Sequence, residues 1–105
     1  MPADALKKME KKADEAAAFL SGLANPLRLR ILCQLAEGEK SVTELMAATD
    51  IAQTSMSQHL NKLKAEGIVS FRREHRTLFY YISHEAVGDL MAVLQTHFCP
   101  PGGKK

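Results

Sequence analysis

The feature that most constrains the fold is residues 41–66, which predict two short helices joined by a tight turn. Ser41 and Glu44 have the spacing of a capping box, in which each side chain satisfies a backbone N–H at the start of a helix. A three-residue link then leads into a second helix over residues 53–66, which Gly67 ends. Short helices connected in this way form a helix-turn-helix.

The second of these helices has two chemically different faces. Met56, Leu60 and Leu63 recur at helical spacing and predict a buried face. The opposite face carries short, mostly uncharged donors and acceptors, which suit hydrogen bonding to base edges in a DNA major groove. A solvated helix surface is the alternative interpretation, because polar helix faces are common in globular proteins. The candidate base contacts are Gln53, Thr54, Ser55, Ser57, Gln58 and His59, and the candidate phosphate contact on this helix is Lys62.

Two β-prone runs follow this helix, IVSFRR and TLFYYIS, and they predict a β-hairpin over residues 68–82. The hairpin is basic near its tip, since Arg72, Arg73 and Arg76 outnumber the single acid Glu74. We expect these arginines to contact the phosphate backbone of DNA, and the alternative is an exposed hairpin loop that carries arginine by chance. A hairpin of this kind beside a helix-turn-helix is the wing of a winged helix-turn-helix.

Two amphipathic helices flank these elements. Residues 4–21 predict a helix with an apolar stripe that ends at Gly22, and residues 84–98 predict a last helix with a similar stripe. The middle of the chain can build a core without either stripe, so we expect the two helices to form a homodimer interface. Residues 100–105, PPGGKK, predict a flexible tail.

A central helix is predicted between these elements. Asn25 and Pro26 form a standard helix start, and the helix should reach about Ala36. Its apolar arc is wide but includes Arg28, which needs a carboxylate partner, a path to solvent or a phosphate contact. The fold class is therefore mainly α with a small β-hairpin, in the order of four helices, two strands and one last helix.

Length and charge limit the possible functions. A chain of 105 residues supports one domain. The formal net charge of +2 gives weak support for a polyanionic partner, although positive charge concentrates in the predicted wing. The sequence has no apolar run near the roughly 20 residues that a membrane span needs, so we expect a cytoplasmic protein with no membrane partner.

The sequence gives little support for catalysis. It contains no Ser-His-Asp spacing, no phosphate-binding Gly loop and no H-E-x-x-H motif, so we expect no enzyme activity, no catalytic residue and no cofactor. The histidines His59, His75, His84 and His97 include no i,i+4 pair. We therefore predict no metal site, because zinc sites normally need three or four converging ligands.

Residues 24–82 resemble the ArsR/SmtB family of dimeric winged-helix repressors. The matching stretches are LANPLRLRILCQL, SVTELM, SMSQHLNKLKAEGIV and RREHRTLFYYIS. The resemblance implies a homodimer that binds double-stranded operator DNA and represses transcription. Because two identical reading helices are related by two-fold symmetry, the expected operator is an imperfect palindrome.

The cysteines distinguish branches of this family. Metal-sensing members carry an E-L-C-x-C-D-L run, where this sequence has ELMAA at residues 44–48, and the Asp-x-His start of their last-helix zinc site is absent at residues 83–85. Cys33 and Cys99 instead resemble the dithiol of the persulfide-responsive branch that includes BigR and SqrR. The resemblance implies a redox switch at this pair, with reactive sulfur species as the inducer.

Two other functions are alternatives to this switch. One is a metal- or arsenic-responsive repressor of the same family. The other is a winged helix that binds proteins, which is the less favoured interpretation because the outer face of residues 53–66 is polar and offers no apolar patch.

Overall fold

The computed structural model describes residues 2–98, so the predicted tail and Cys99 lie outside the described part of the chain. Within that range the chain forms six helices and three strands. They are α1 (Ala3–Lys11), α2 (Ala13–Leu23), α3 (Pro26–Leu35), β1 (Lys40–Ser41), α4 (Val42–Thr49), α5 (Gln53–Ala65), β2 (Val69–Glu74), β3 (Thr77–Ile82) and α6 (Glu85–Phe98). This arrangement confirms the predicted fold class, a mainly helical winged helix. None of the helices in residues 2–98 is long and apolar enough to cross a membrane.

The prediction of one helix over residues 4–21 was wrong in two respects. Lys12 interrupts the helix with φ −104° and ψ 12°, and its N–H is shared between the carbonyl oxygens of Lys8 and Met9. The second half then continues through Gly22 to Leu23 instead of stopping at the glycine. Leu23 is buried in the core, and this burial offsets the cost of about 1 kcal/mol for a glycine inside a helix.

The starts of α3 and α4 are set by side-chain caps, as predicted. The Asn25 side chain accepts hydrogen bonds from the N–H groups of Leu27 and Arg28 at 2.9 and 3.1 Å. Ser41 and Glu44 form a reciprocal capping box, with bonds of 2.8 and 3.1 Å. These caps satisfy N–H groups that have no partner within the helix, so α3 and α4 begin where the sequence predicts.

One hydrophobic core joins α3, α4, α5, α6 and the base of the hairpin. Ile31 and Leu32 of α3 are fully buried at its centre. The other buried apolar side chains are Leu23, Leu35, Leu45, Ile51, Met56, Leu60, Leu63, Ile68, Val69, Tyr80, Val87 and Met91. In contrast, α1 is described along its whole length and buries no side chain.

The strands form an antiparallel sheet in the order β1-β3-β2. The hairpin β2–β3 has the predicted position, and His75 and Arg76 form its two-residue turn, with His75 at φ 59°. Strand β1 was not predicted, because two residues are too few to show a β pattern. It pairs Lys40 with Tyr80 and Ser41 with Phe79, and so attaches the start of α4 to the wing.

Alanine substitution at two glycines should change the free energy of unfolding in opposite directions. Gly67 follows the end of α5 with φ +78°, so Gly67→Ala should lower the free energy of unfolding by about 1–2 kcal/mol. At Gly88, inside α6, an added Cβ meets no atom within 4 Å, so Gly88→Ala should raise that free energy by up to about 1 kcal/mol. Urea unfolding followed by circular dichroism measures both, and a Gly67→Ala variant that is as stable as the unmutated protein, or more stable, would contradict the left-handed backbone at Gly67.

Candidate nucleic-acid interface

Helix α5 is held in place by its apolar side, which packs into the core. Met56, Leu60 and Leu63 are 0–1% exposed, as their spacing predicted. The predicted base-contact residues lie on the rest of the helix surface. Gln53, Thr54, Ser57, Gln58 and Lys62 are exposed, and Ser55 and His59 are half-buried. Burial of the apolar side therefore presents a row of amide and hydroxyl groups to the outside.

The turn before α5 is held by contacts that the sequence did not reveal. Thr49 is buried, donates its hydroxyl to the carbonyl of Leu45 at 2.6 Å and accepts from the N–H of Ile51 at 3.3 Å. Arg30 of α3 donates to the carbonyl oxygen of Thr49. Asp50 adopts a left-handed conformation with φ 61°, which aspartate tolerates better than most residues. Together these contacts fix the direction in which α5 leaves α4.

Arg28 has partners within the fold, but neither is the carboxylate that we considered. Its Nη1 donates to the carbonyl oxygen of Gly22 at 2.8 Å. Its Nε donates to Nδ1 of His59 at 3.4 Å, which links α3 to the middle of α5. Arg28 is half-buried rather than fully enclosed by the apolar arc.

The wing arginines differ in their surroundings. Arg72 donates to Glu39 at 2.7 Å and to Glu74 at 3.1 Å, and its guanidinium lies over the Phe79 ring at 4.9 Å. The hydrogen bond to Glu39, and then the one to Glu74, raise the pKa of Arg72 above its ordinary value. Among residues 2–98, Arg73 and Arg76 make no ion pair and are exposed. Glu39 was not singled out in the sequence, because its partner is 33 positions away.

The base of the wing packs against the end of α5. Lys64 lies over the Phe71 ring at 5.2 Å from its centroid, and Phe71 contacts Tyr80 edge-on at 5.4 Å. Tyr80 is 6% exposed, and its burial raises the pKa of the phenol. The predicted reading helix and the wing thus form one packed unit.

The predicted cysteine pair is only partly described. Cys33 is half-buried on α3 and packs against the core, and α3 packs against α6. Cys99 immediately follows Phe98, the last residue of α6, and lies outside the described residues. Within the described part of the chain, no group of three or more His, Cys, Asp or Glu side chains is arranged to hold a metal ion.

His84 has a structural use at the start of α6. Its Nδ1 accepts a hydrogen bond from the N–H of Ala86 at 3.1 Å, and its ring lies 4.9 Å from that of Phe19. This contact joins α2 to α6.

The structure contains a helix with an outward polar face, a fixed turn that precedes this helix and an antiparallel hairpin that follows it. Together these three elements define a winged helix-turn-helix, a class of DNA-binding domain. The chain belongs to the arsR family of bacterial regulatory proteins, whose family model matches residues 25–70. It is therefore a transcriptional regulator and not an enzyme, as the sequence predicted.

Two relatives match most of the chain. The chain is 45% identical to the biofilm growth-associated repressor of Agrobacterium fabrum, over 91% of its own length and 82% of the relative's. It is 38% identical to the transcriptional activator HlyU of Vibrio cholerae, over 90% of its own length and 87% of the relative's. The first match confirms the resemblance to the BigR-like branch.

Solved structures agree with this assignment. The repressor BigR from Xylella fastidiosa superposes with a TM-score of 0.81 at 41% identity, covering 89% of this chain and 95% of BigR. A homodimeric winged helix-turn-helix DNA-binding domain, Mb0332 from Mycobacterium bovis, superposes with a TM-score of 0.72 at 37% identity, covering 86% of this chain and 83% of that one.

Proposed function

We propose that this regulator is a homodimeric repressor that binds an imperfect palindrome in double-stranded operator DNA and releases it when reactive sulfur species link Cys33 to Cys99. The observation that carries the DNA-binding part is the division of α5 into a buried apolar face and an exposed polar face. The relatives include both a named repressor and a named activator. Repression is preferred because the more similar of these two relatives is the repressor.

In this proposal α5 lies in the major groove and the wing lies along the backbone. Gln53, Thr54, Ser55, Ser57 and Gln58 contact base edges, with His59 beside them. Lys62, Arg73 and Arg76 contact phosphate, because each is an exposed cation without an ion pair among residues 2–98. Arg72 takes a smaller part, since Glu39 and Glu74 already neutralise it and a phosphate would have to displace them.

Substitutions should distinguish the residues that contact bases from those that contact phosphate. The double variant Ser57→Ala with Gln58→Ala should lose about 10-fold or more in its discrimination between a duplex selected by the unmutated protein and a scrambled duplex, because a good base contact contributes about 1–3 kcal/mol of discrimination. Arg76→Ala should weaken binding to both duplexes by a similar factor. Fluorescence anisotropy at one fixed salt concentration measures both effects. Unchanged discrimination in the double variant would show that α5 does not read the bases.

The unpartnered apolar surface of the terminal helices supports a homodimer. Leu6 and Met9 of α1 are 48% and 50% exposed, and Val93 of α6 is 54% exposed. These residues belong to the two predicted dimerisation helices, and one structural relative is homodimeric. A two-fold dimer would place two copies of α5 about one helical turn of DNA apart, which matches the spacing of palindromic half-sites.

A charge at Val93 should prevent dimerisation without damaging the protomer. Val93 is exposed in the protomer, so Val93→Glu should leave the fold intact but should give a monomer, because the interface would bury an unpaired carboxylate. The control is Ala92→Glu, an exposed position about 100° around the same helix. Analytical ultracentrifugation at micromolar protein measures both. A Val93→Glu variant that stays dimeric would place the interface elsewhere.

The proposed switch acts between α3 and α6. A direct disulfide needs Cα atoms within about 7 Å, whereas a bridge lengthened by additional sulfur can span more. The two cysteine thiols react with two persulfide molecules. The sulfane sulfur of one persulfide enters the bridge, and the sulfane sulfur of the other accepts the two electrons lost by the thiols and leaves as hydrogen sulfide. The remainder of each persulfide leaves as a thiol. Because α6 is also a proposed dimerisation helix, a link to α3 changes the relative orientation of the two copies of α5.

Loss of operator affinity should require both thiols. Persulfide-treated protein should bind the operator about 5- to 150-fold more weakly than reduced protein, the usual range of an allosteric coupling. Cys33→Ser and Cys99→Ser should each abolish this response. Intact mass spectrometry should find an intrachain bridge that is heavier than a disulfide by whole sulfur atoms. Equal responses in all three proteins would contradict the switch, and a response to Zn(II) or As(III) instead would favour the metal- or arsenic-responsive alternative.

A further inference from the structure

His59 is the one residue of the proposed reading surface whose side chain is bonded to another helix within the described chain. Arg28 of α3 donates from Nε to Nδ1 of His59 at 3.4 Å and from Nη1 to the carbonyl oxygen of Gly22 at 2.8 Å. Both side chains are half-buried. The planar guanidinium therefore lies between the last turn of α2 and the middle of α5, with one donor directed to each.

This contact defines which nitrogen of His59 carries hydrogen. A guanidinium offers only donors, so Nδ1 of His59 must be the unprotonated nitrogen that accepts. In a neutral imidazole the hydrogen is then on Nε2. Within residues 2–98, Nε2 has no hydrogen-bond partner, and the ring is partly exposed between Ser55 and Lys62 on the same side of α5. The contact thus favours a form of His59 with a hydrogen-bond donor at Nε2.

A second close approach supports the position of α2 relative to α5. A Cβ added to Gly22 would lie 2.8 Å from Oε1 of Glu66, the residue that caps α5. Because this carboxylate ends an exposed, flexible side chain, the contact shows that the C-terminal end of α5 lies beside α2 but does not by itself require glycine at position 22. The last turn of α2 therefore lies beside α5 at Glu66 and is linked to it at His59 through the Arg28 side chain.

We infer that Arg28 is a positioning residue that holds His59 as the Nε2–H tautomer, and that this N–H donates to an acceptor of the operator duplex. The inference rests on the proposed function for its second half. The acceptor is either a phosphate oxygen or an acceptor atom on a base edge, such as purine N7 or guanine O6. A helix that lies in the major groove can reach both kinds of acceptor, and the second measurement below distinguishes them.

The first measurement needs no DNA. Long-range ¹H–¹⁵N correlation spectra of the free protein should show His59 with hydrogen on Nε2 and a bare Nδ1. In Arg28→Gln the His59 nitrogen shifts should move toward the average of the two tautomers. Where Arg28→Gln does not fold, Arg28→Lys replaces it, because lysine keeps the charge but cannot hold both partners with a planar fork. Hydrogen on Nδ1 in the unmutated protein would overturn the inference.

The second measurement uses two isosteric variants. The amide nitrogen of His59→Gln falls near the place of Nε2, whereas that of His59→Asn falls near Nδ1. His59→Asn should weaken operator binding about 5- to 10-fold, the usual effect of one lost hydrogen bond, and His59→Gln should retain binding within about 2-fold. An equal loss on the operator and on a scrambled duplex assigns the acceptor to phosphate, and a loss on the operator alone assigns it to a base.

A double-mutant cycle tests whether Arg28 acts through His59. Arg28→Gln should weaken binding about 2-fold in the unmutated protein, because an even mixture of tautomers halves the fraction of His59 that can donate from Nε2, and should have no such effect in His59→Gln, because an amide has no tautomer to hold. An equal loss in both backgrounds would overturn the positioning role. If the unmutated protein binds no duplex, the proposed function fails together with the donation to DNA, whereas the spectra of the free protein still decide whether Arg28 sets the tautomer.

Discussion

The burial of one side of α5 is the constraint on which the rest of the interface depends. Met56, Leu60 and Leu63 are withdrawn from water, and each contributes about 1.5–3 kcal/mol before the entropy cost of ordering it. A rotation of α5 by one residue would expose these side chains and bury amides and hydroxyls without partners. The polar surface that faces outward is therefore set by the apolar residues behind it, and the residues that we propose to face DNA do not need to stabilise the helix themselves.

Polar contacts from α3 then determine where this helix points. Arg28 and Arg30 lie on the same helix, and one reaches His59 while the other reaches the Thr49 carbonyl in the turn before α5. Ile31 and Leu32 of the same helix are fully buried, so both arginines extend from a helix that is anchored in the core. The core thus sets the position of α5, and these two side chains fix its direction.

Local signals in the sequence predicted most of the fold. Caps at Asn25 and Ser41 and the period of the apolar residues located α3, α4 and α5, because these signals act within a few residues. The N-terminal helix was predicted too simply, since packing of Leu23 decides where it ends. Strand β1, the Arg72–Glu39 pair and the Arg28–His59 bond could not be predicted, because each joins residues about 30 or more positions apart. The base contacts and the cysteine switch stay predictions.

The packing of Lys64, Phe71 and Tyr80 has a consequence for the shape of the DNA. Because the wing and α5 form one packed unit and the hairpin turn has only two residues, the protein has little freedom to adjust the distance between its groove contact and its backbone contact. In the proposed complex the duplex must then supply the adjustment, through local changes in groove width and bending. Flexible pyrimidine–purine steps accommodate such changes at lower energy than stiff A-tracts. Operator choice would therefore depend partly on base pairs that no side chain touches.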